Sequence, residues 1–177
     1  MFWKLKLFFY YFLIARLPHS RFCRLCRKIR LFYVCRILKI MEYHPDSFFE
    51  NNVHIGTGRD LSIGRRCHIN ENAFLQSGRI GHDVMIAAGV SILSGLHNTD
   101  RTDIPMIEQG VTVKNPVVVE DDVWIGRNAI LLPGIRVRKG SIITAGSVVS
   151  HDVKSYCLYG GVPAQFIRRR SGIENND

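Results

Sequence analysis

VVVEDDVWIGRNAILLPGIRVRKGSIITAGSVVSHDV, residues 117–153, sets an apolar residue at Val119, Ile125, Leu131, Val137, Ile143 and Val149, always six positions apart. An α-helix needs apolar spacing near 3.6 and an isolated strand alternates with period two, so neither explains the pattern. Three six-residue units that close one triangular coil of about 18 residues do explain it. Each leading residue then points to the axis and stacks on its counterpart one coil away.

Upstream, the same leading position is filled by Phe49, Ile55, Ile63, Ile69, Leu75, Ile80, Ile86 and Ile92. Only the steps Ile55 to Ile63 (eight) and Leu75 to Ile80 (five) depart from six within the two runs. The fifth position is small or β-branched: Val53, Cys67, Ala73, Val84, Val90, Val123, Ala129, Ser141, Ser147 and Val153. Gly, Asn and Asp recur where the backbone must turn sharply. Fourteen leading residues predict four to five coils.

The rhythm breaks at SGLHNTDRTDIPM, residues 94–106, and resumes after Asn115-Pro116. A solenoid ejects a loop from one corner without disturbing its neighbours, because each coil touches only the next. Residues 97–117 are read as that loop, with His97 at its root, where the rigid body positions the side chain. A neutral imidazole there suits general-base chemistry, and Asp100 is close enough in sequence to fix its tautomer. Metal chemistry is not expected. His54, His68 and His82 recur every fourteen residues, out of phase with the coil, and no histidine lies between 97 and 151.

Charge divides the chain of 177 residues. Residues 1–41 carry ten Lys or Arg and no acid, whereas the remainder holds fourteen basic and fifteen acidic groups. The longest uncharged run of the basic arm, Leu7–Ala15, has nine residues, far fewer than the roughly 20 that span a bilayer. Three expectations stay open for this arm: helical packing on the body, a contact between subunits, or an interfacial contact with anionic lipid. Its aromatics precede the main run of cations instead of interleaving with it, which argues against nucleic acid. Cys23 and Cys26 have CxxC spacing, but no second pair completes a zinc site, so the five cysteines are read as reduced thiols.

Residues 117–153, followed by GGVPAQFIRRR at 160–170, resemble the left-handed β-helix hexapeptide-repeat acyltransferases. Within them the chain is most similar to the sugar and polysaccharide O-acetyltransferases. The resemblance extends to the loop HNTDRTDIPMIEQG and to the aromatic, basic N-terminus. It implies an all-β, left-handed parallel β-helix over residues 46–167, a helical arm over 1–45 and a polar tail over 168–177. It also implies transfer of an acetyl group from acetyl-CoA to a sugar hydroxyl, in surface polysaccharide synthesis, by a homotrimer whose sites lie between subunits.

In that family His97 matches the general base, Asn70 the asparagine facing the acceptor hydroxyl, and Trp124 an aromatic beside the acetyl group. Gly126, Arg127, Ala145 and Gly146 match the backbone that accompanies the pantetheine arm. Ser150 and Arg168 fall where the coenzyme phosphates are met. Ser150-His151 replaces a frequent Thr-Lys, Gln165 replaces a basic residue, and Gln76-Ser77-Gly78 lacks the acids of galactoside-type relatives. The expected acceptor is therefore a lipid-linked or nucleotide-linked glycan, met by a cytoplasmic enzyme at the inner face of the membrane. Acetylation of serine or an antibiotic, and a non-catalytic assembly module, are the alternatives.

Overall fold

The computed structural model describes residues 2–170; the expected tail beyond Arg170 lies outside them. Short parallel strands stack into three faces. Face B holds β1 (Phe48–Phe49), β3 (His68–Ile69), β6 (Met85–Ile86), β9 (Trp124–Ile125), β12 (Ile142–Ile143) and β14 (Cys157–Gly161). Face C holds β4 (Phe74–Leu75), β7 (Ser91–Ile92), β10 (Ile130–Leu131) and β13 (Val148–Val149). Face A holds β2 (Leu61–Ile63), β5 (Gly78–Ile80), β8 (Val117–Val119) and β11 (Arg136–Val137).

The six-residue period is one face of this triangle. Ile69, Ile86, Ile125 and Ile143 pair in register on face B, as do Leu75, Ile92, Leu131 and Val149 on face C. All fourteen leading residues are buried, and so are all ten fifth-position residues. The core is thus a continuous apolar column.

Corners are made by left-handed residues. Between faces B and C, Asn52, Asn72, Gly89, Asn128 and Gly146 have φ of 57°, 60°, 71°, 56° and 70°. Asn and Gly tolerate this region at low cost, which is why they recur on successive coils. The corner between faces A and B uses Arg66 (φ 55°) and Tyr156 (φ 55°) as well as Asp83 and Asp122.

The stack has about six turns, more than the four to five expected. Met41 already bridges Ile63 ahead of β1, and Val153 bridges Val137 to begin a last turn completed by β14. Met41 lies outside the regular hexapeptides, since Tyr43-His44-Pro45-Asp46 intervenes, and the last turn is completed beyond the final leading residue, Val149. At the other end the chain reverses. β14 pairs antiparallel with β15 (Ala164–Arg169), so Arg168, placed in a tail by the sequence reading, belongs to a strand.

The arm forms α1 (Phe2–Phe12) and α2 (Arg24–Phe32), the latter running into a π-helical turn at Tyr33–Ile37. It packs on the first coil. Tyr10 is fully buried and its hydroxyl donates to the Val53 carbonyl at 2.6 Å; burial drives its pKa upward. Trp3 donates from Nε1 to the Thr57 carbonyl at 2.8 Å. Arg30, also fully buried, donates to the carbonyls of Phe49, Leu17 and Pro18 and to the Glu50 carboxylate.

Candidate active site

The loop leaves the stack after β7, at the corner between faces C and A, and returns at β8. Its two limbs pair at the root. His97 bridges Val111 antiparallel, Thr112 N donates to the Leu96 carbonyl at 2.8 Å, and Asn98 N donates to the Gly110 carbonyl at 3.1 Å. The Thr112 hydroxyl accepts from Leu96 N at 2.9 Å. On the return limb, Asn115 N donates to the Ser94 carbonyl and Lys114 pairs with Asp60 two coils down at 2.9 Å. A short 3₁₀ turn at Met106–Glu108 forms the far end.

These contacts account for most of the polar residues that interrupt the repeat. The Asn98 amide donates to the Gln109 carbonyl. The Gln109 side chain accepts from Arg101 N at 3.1 Å and donates to the carbonyls of Arg101 and Ile104. Arg101 and Asp103 form an ion pair that holds the Asp103 carboxyl below the usual carboxylate range. Gln109 is the hub, and the sequence reading missed it; the only trace was a glutamine directly before Gly110. The side chains of His97 and Asp100 take no part in this fastening, and both are exposed. No hydrogen bond joins Asp100 to the His97 ring among the described residues. The exposed imidazole is thus carried by a tied backbone.

The other singled-out residues occupy different parts of the triangle. Trp124 stands outward on face B, in register with Met85 below and Ile142 above, and is 47% exposed. Asn70, Gly126, Arg127, Ala145 and Gly146 all lie on the corner between faces B and C. Asn70 is held there, its amide donating to the Ile86 carbonyl at 2.8 Å. Gly126 answers to coil stacking, since a Cβ would lie 2.5 Å from Ala145 N and 2.8 Å from the Ile143 carbonyl oxygen. Gly146 differs, with nothing within 4 Å of a Cβ position. With exposed Ala145 it leaves a strip without large side chains, wide enough for a narrow ligand to approach the backbone.

Ser150 lies on the corner between C and A, two coils above the loop root, and its hydroxyl contacts His151 Nδ1 at 2.9 Å. Arg168 is exposed on β15. Its neighbour Arg170 is committed to the body, donating to Asp122 at 3.0 Å and to the Gly140 carbonyl at 2.7 Å.

His97 and the strip at Ala145-Gly146 are therefore separated by the whole width of face C on one chain. Two of the larger cavities also lie away from His97: about 460 Å³ between residues 35–42 and face A, and about 630 Å³ beside α2. No group of His, Cys, Asp or Glu able to hold a metal occurs among the described residues.

Comparisons with known proteins agree with the repeat and the fold. Residues 116–151 match the model for the bacterial transferase hexapeptide (six repeats). A Schizosaccharomyces pombe protein that bears an acetyltransferase name is 31% identical over 134 residues, which is 76% of this chain and 60% of the relative. The chain thus spans less than two thirds of that relative's length. A hexapeptide-repeat-containing acetyltransferase of Vibrio cholerae O1 biovar eltor, solved with acetyl coenzyme A, is similar at 25% identity and TM-score 0.67, over 94% of this chain and 83% of that one. A galactoside acetyltransferase solved with coenzyme A shares the fold at TM-score 0.71 and 20% identity, over 94% and 78% of the two chains. Residues 116–151 thus carry the bacterial transferase hexapeptide repeat, within a parallel β-helix similar to that of the solved hexapeptide-repeat and galactoside acetyltransferases.

Proposed function

We propose that the protein is an acetyl-CoA-dependent O-acetyltransferase that modifies a sugar hydroxyl, with His97 as general base. The observation that carries this reading is the exposed His97 ring on a root fastened at both limbs of the loop. A thioester is already activated, but a sugar hydroxyl is a poor nucleophile near pH 7. His97 takes the hydroxyl proton as the oxygen bonds to the acetyl carbon, a contribution of about 10²–10⁴-fold. It returns that proton to the sulfur as the carbon–sulfur bond breaks, leaving acetyl ester and coenzyme A. Backbone N–H groups at a coil corner meet the charge on the carbonyl oxygen.

The separation of His97 from Ala145-Gly146 on one chain supports a site between subunits of a homotrimer. There the His97 of one protomer faces the Trp124 and Gly146 of its partner. Largely apolar rows face outward on two faces, with Met85, Trp124 and Ile142 on B and Phe74, Ser91, Ile130 and Val148 on C; they suit closed association. The Vibrio and galactoside relatives, solved with acetyl-CoA and CoA, support the donor. A glycan intermediate of surface polysaccharide, lipid-linked, is the acceptor class that fits a chain with a basic, aromatic arm.

Calorimetric titration of acetyl-CoA, with CoA and succinyl-CoA beside it, tests the donor half. Thiol release with a panel of glycan acceptors, comparing wild type with His97→Ala, tests the base. We expect one site per chain and a loss of turnover of at least a hundredfold in His97→Ala with donor affinity kept. Saturable donor binding with equal turnover in the two proteins would remove His97 from the chemistry.

A further inference from the structure

α1 is apolar over most of its circumference, broken only by Lys4 and Lys6. Its inward residues Trp3, Leu7, Tyr10 and Tyr11 pack on the coils. Its outward face presents Phe2, Leu5, Phe8, Phe9, Phe12 and Leu13 to solvent, with Phe8 and Phe12 stacked at 5.5 Å. A helix with apolar side chains on both its protein-facing and its outward side, and few cations between them, has an unpartnered apolar face that suits a lipid surface. α2 repeats the arrangement at Leu25, Ile29 and Phe32, and the turn before it exposes 84% of Phe22.

The chemistry around these faces is one-signed. Residues 1–41 contain ten cations and no carboxylate, and Arg30 alone is buried against an acid. Beside α2 lies the cleft of about 630 Å³ lined by Arg27, Lys28, Leu31, Phe32, Arg36 and Tyr43, with Pro45 at its edge. Its lining carries three cations and no acid. Aromatic rings hold two of them, Arg27 over Phe48 at 4.5 Å and Arg36 over Tyr43 at 5.8 Å.

We propose that the arm is a docking face for an anionic phospholipid bilayer, with the outward rings of α1 and α2 at the headgroup boundary and the cleft beside α2 receiving a lipid phosphate. Apolar rings fringed by Lys and Arg are the composition that lies in the interface plane. With 11 residues, α1 reaches about 16 Å, half of a hydrocarbon core of about 30 Å. No helix among the described residues is long and apolar enough to cross a membrane, so the arm lies on the surface. A second copy of the same face is a poor occupant, because isologous pairing sets cations against cations. The inference stands apart from acetyl transfer and goes beyond it.

The test is co-sedimentation of the full chain with phosphatidylglycerol–phosphatidylcholine vesicles and with phosphatidylcholine alone. Wild type binds the anionic vesicles at least tenfold better. Phe8→Ser with Phe9→Ser and Phe12→Ser weakens binding at least tenfold while circular dichroism and oligomeric state hold. Arg27→Gln with Lys28→Gln and Arg36→Gln removes the preference for anionic lipid. As a measurement free of folding losses, Phe8→Trp should shift its emission to the blue and be quenched by brominated acyl chains. Equal binding to both vesicle types, an unquenched Trp, or a triple Phe variant that changes oligomeric state while vesicle binding stays intact would overturn the proposal.

Discussion

Arg30 and Glu50 meet at 2.7 Å in a site closed to solvent, and this pair ties α2 to the end of β1. The guanidinium also donates to three backbone carbonyls, so its charge and its donors are spoken for. Removing one member of a buried pair leaves the other unpaired and costs about 3–5 kcal/mol. Arg30→Met and Glu50→Gln are each expected to lower the unfolding free energy by that amount, read by urea titration. The double variant Arg30→Met with Glu50→Leu should recover part of the loss. Recovery stays partial because the carbonyls of Phe49, Leu17 and Pro18 lose their donor.

Gly126 and Gly146, both on the B–C corner, should respond differently to a methyl group. Gly126→Ala forces its Cβ into the backbone of the next coil, an overpacking expected to cost roughly 1–3 kcal/mol. Gly146→Ala meets open space but keeps φ at 70°, a strain of about 1–2 kcal/mol. Thermal unfolding orders the two. Acetyl-CoA titration adds the functional reading, since the methyl of Gly146→Ala intrudes on the proposed pantetheine strip and should weaken binding.

Gln109 supplies one acceptor and two donors to the loop, yet lies outside the stacked coils. Gln109→Ala should leave global stability within about 1 kcal/mol, as loops of a solenoid unfold locally. Misplacing a catalytic group by about 1 Å costs up to roughly a hundredfold, so kcat should fall between tenfold and a hundredfold. Donor affinity should hold. Steady-state kinetics with calorimetry separates these effects, and a parallel loss of donor affinity would place Gln109 in binding instead.

Acid should weaken the fold partly through Glu120. Lys139 N donates to its carboxylate at 2.9 Å and Arg136 pairs with it at 3.0 Å, and both hold its pKa below the ordinary carboxylate value. A depressed folded pKa means stability that is present above the unfolded value and is lost as pH falls through the folded one. Glu120→Gln should therefore flatten the acid side of a stability-against-pH curve and leave the slope above pH 6 unchanged. Chemical denaturation at several pH values reads this.

The period of the leading residues was legible because the axis of the stack admits only apolar side chains, from Phe49 through Val149. The extra turns were not. Met41 pairs as a rung through a long-range bridge to Ile63 that no six-residue spacing announces, and the fifth-position residue Val153 gave no sign that it bridges Val137 to open a further turn. The arm's two faces were equally opaque, because apart from Lys4 and Lys6 α1 is apolar on both sides and its periodicity cannot say which one touches protein. Burial of Arg30 and Glu50 depends on residues twenty apart. At the site, His97 stood out as the break in a pattern, whereas Gln109 works through backbone carbonyls that leave no mark on composition.

The hairpin of β14 and β15 gives the molecule a fixed length. A stack of parallel coils offers, at each end, backbone groups that another stack can extend, and uncapped stacks of this kind seed filaments. Here the last rung of face B is met by a strand running the opposite way and bearing Arg168 and Arg169, so an incoming parallel coil finds the wrong polarity and a like-charged rim. The helices over the first coil close the other end. Growth along the axis is blocked at both ends, and only sideways association, the kind a trimer needs, is left open.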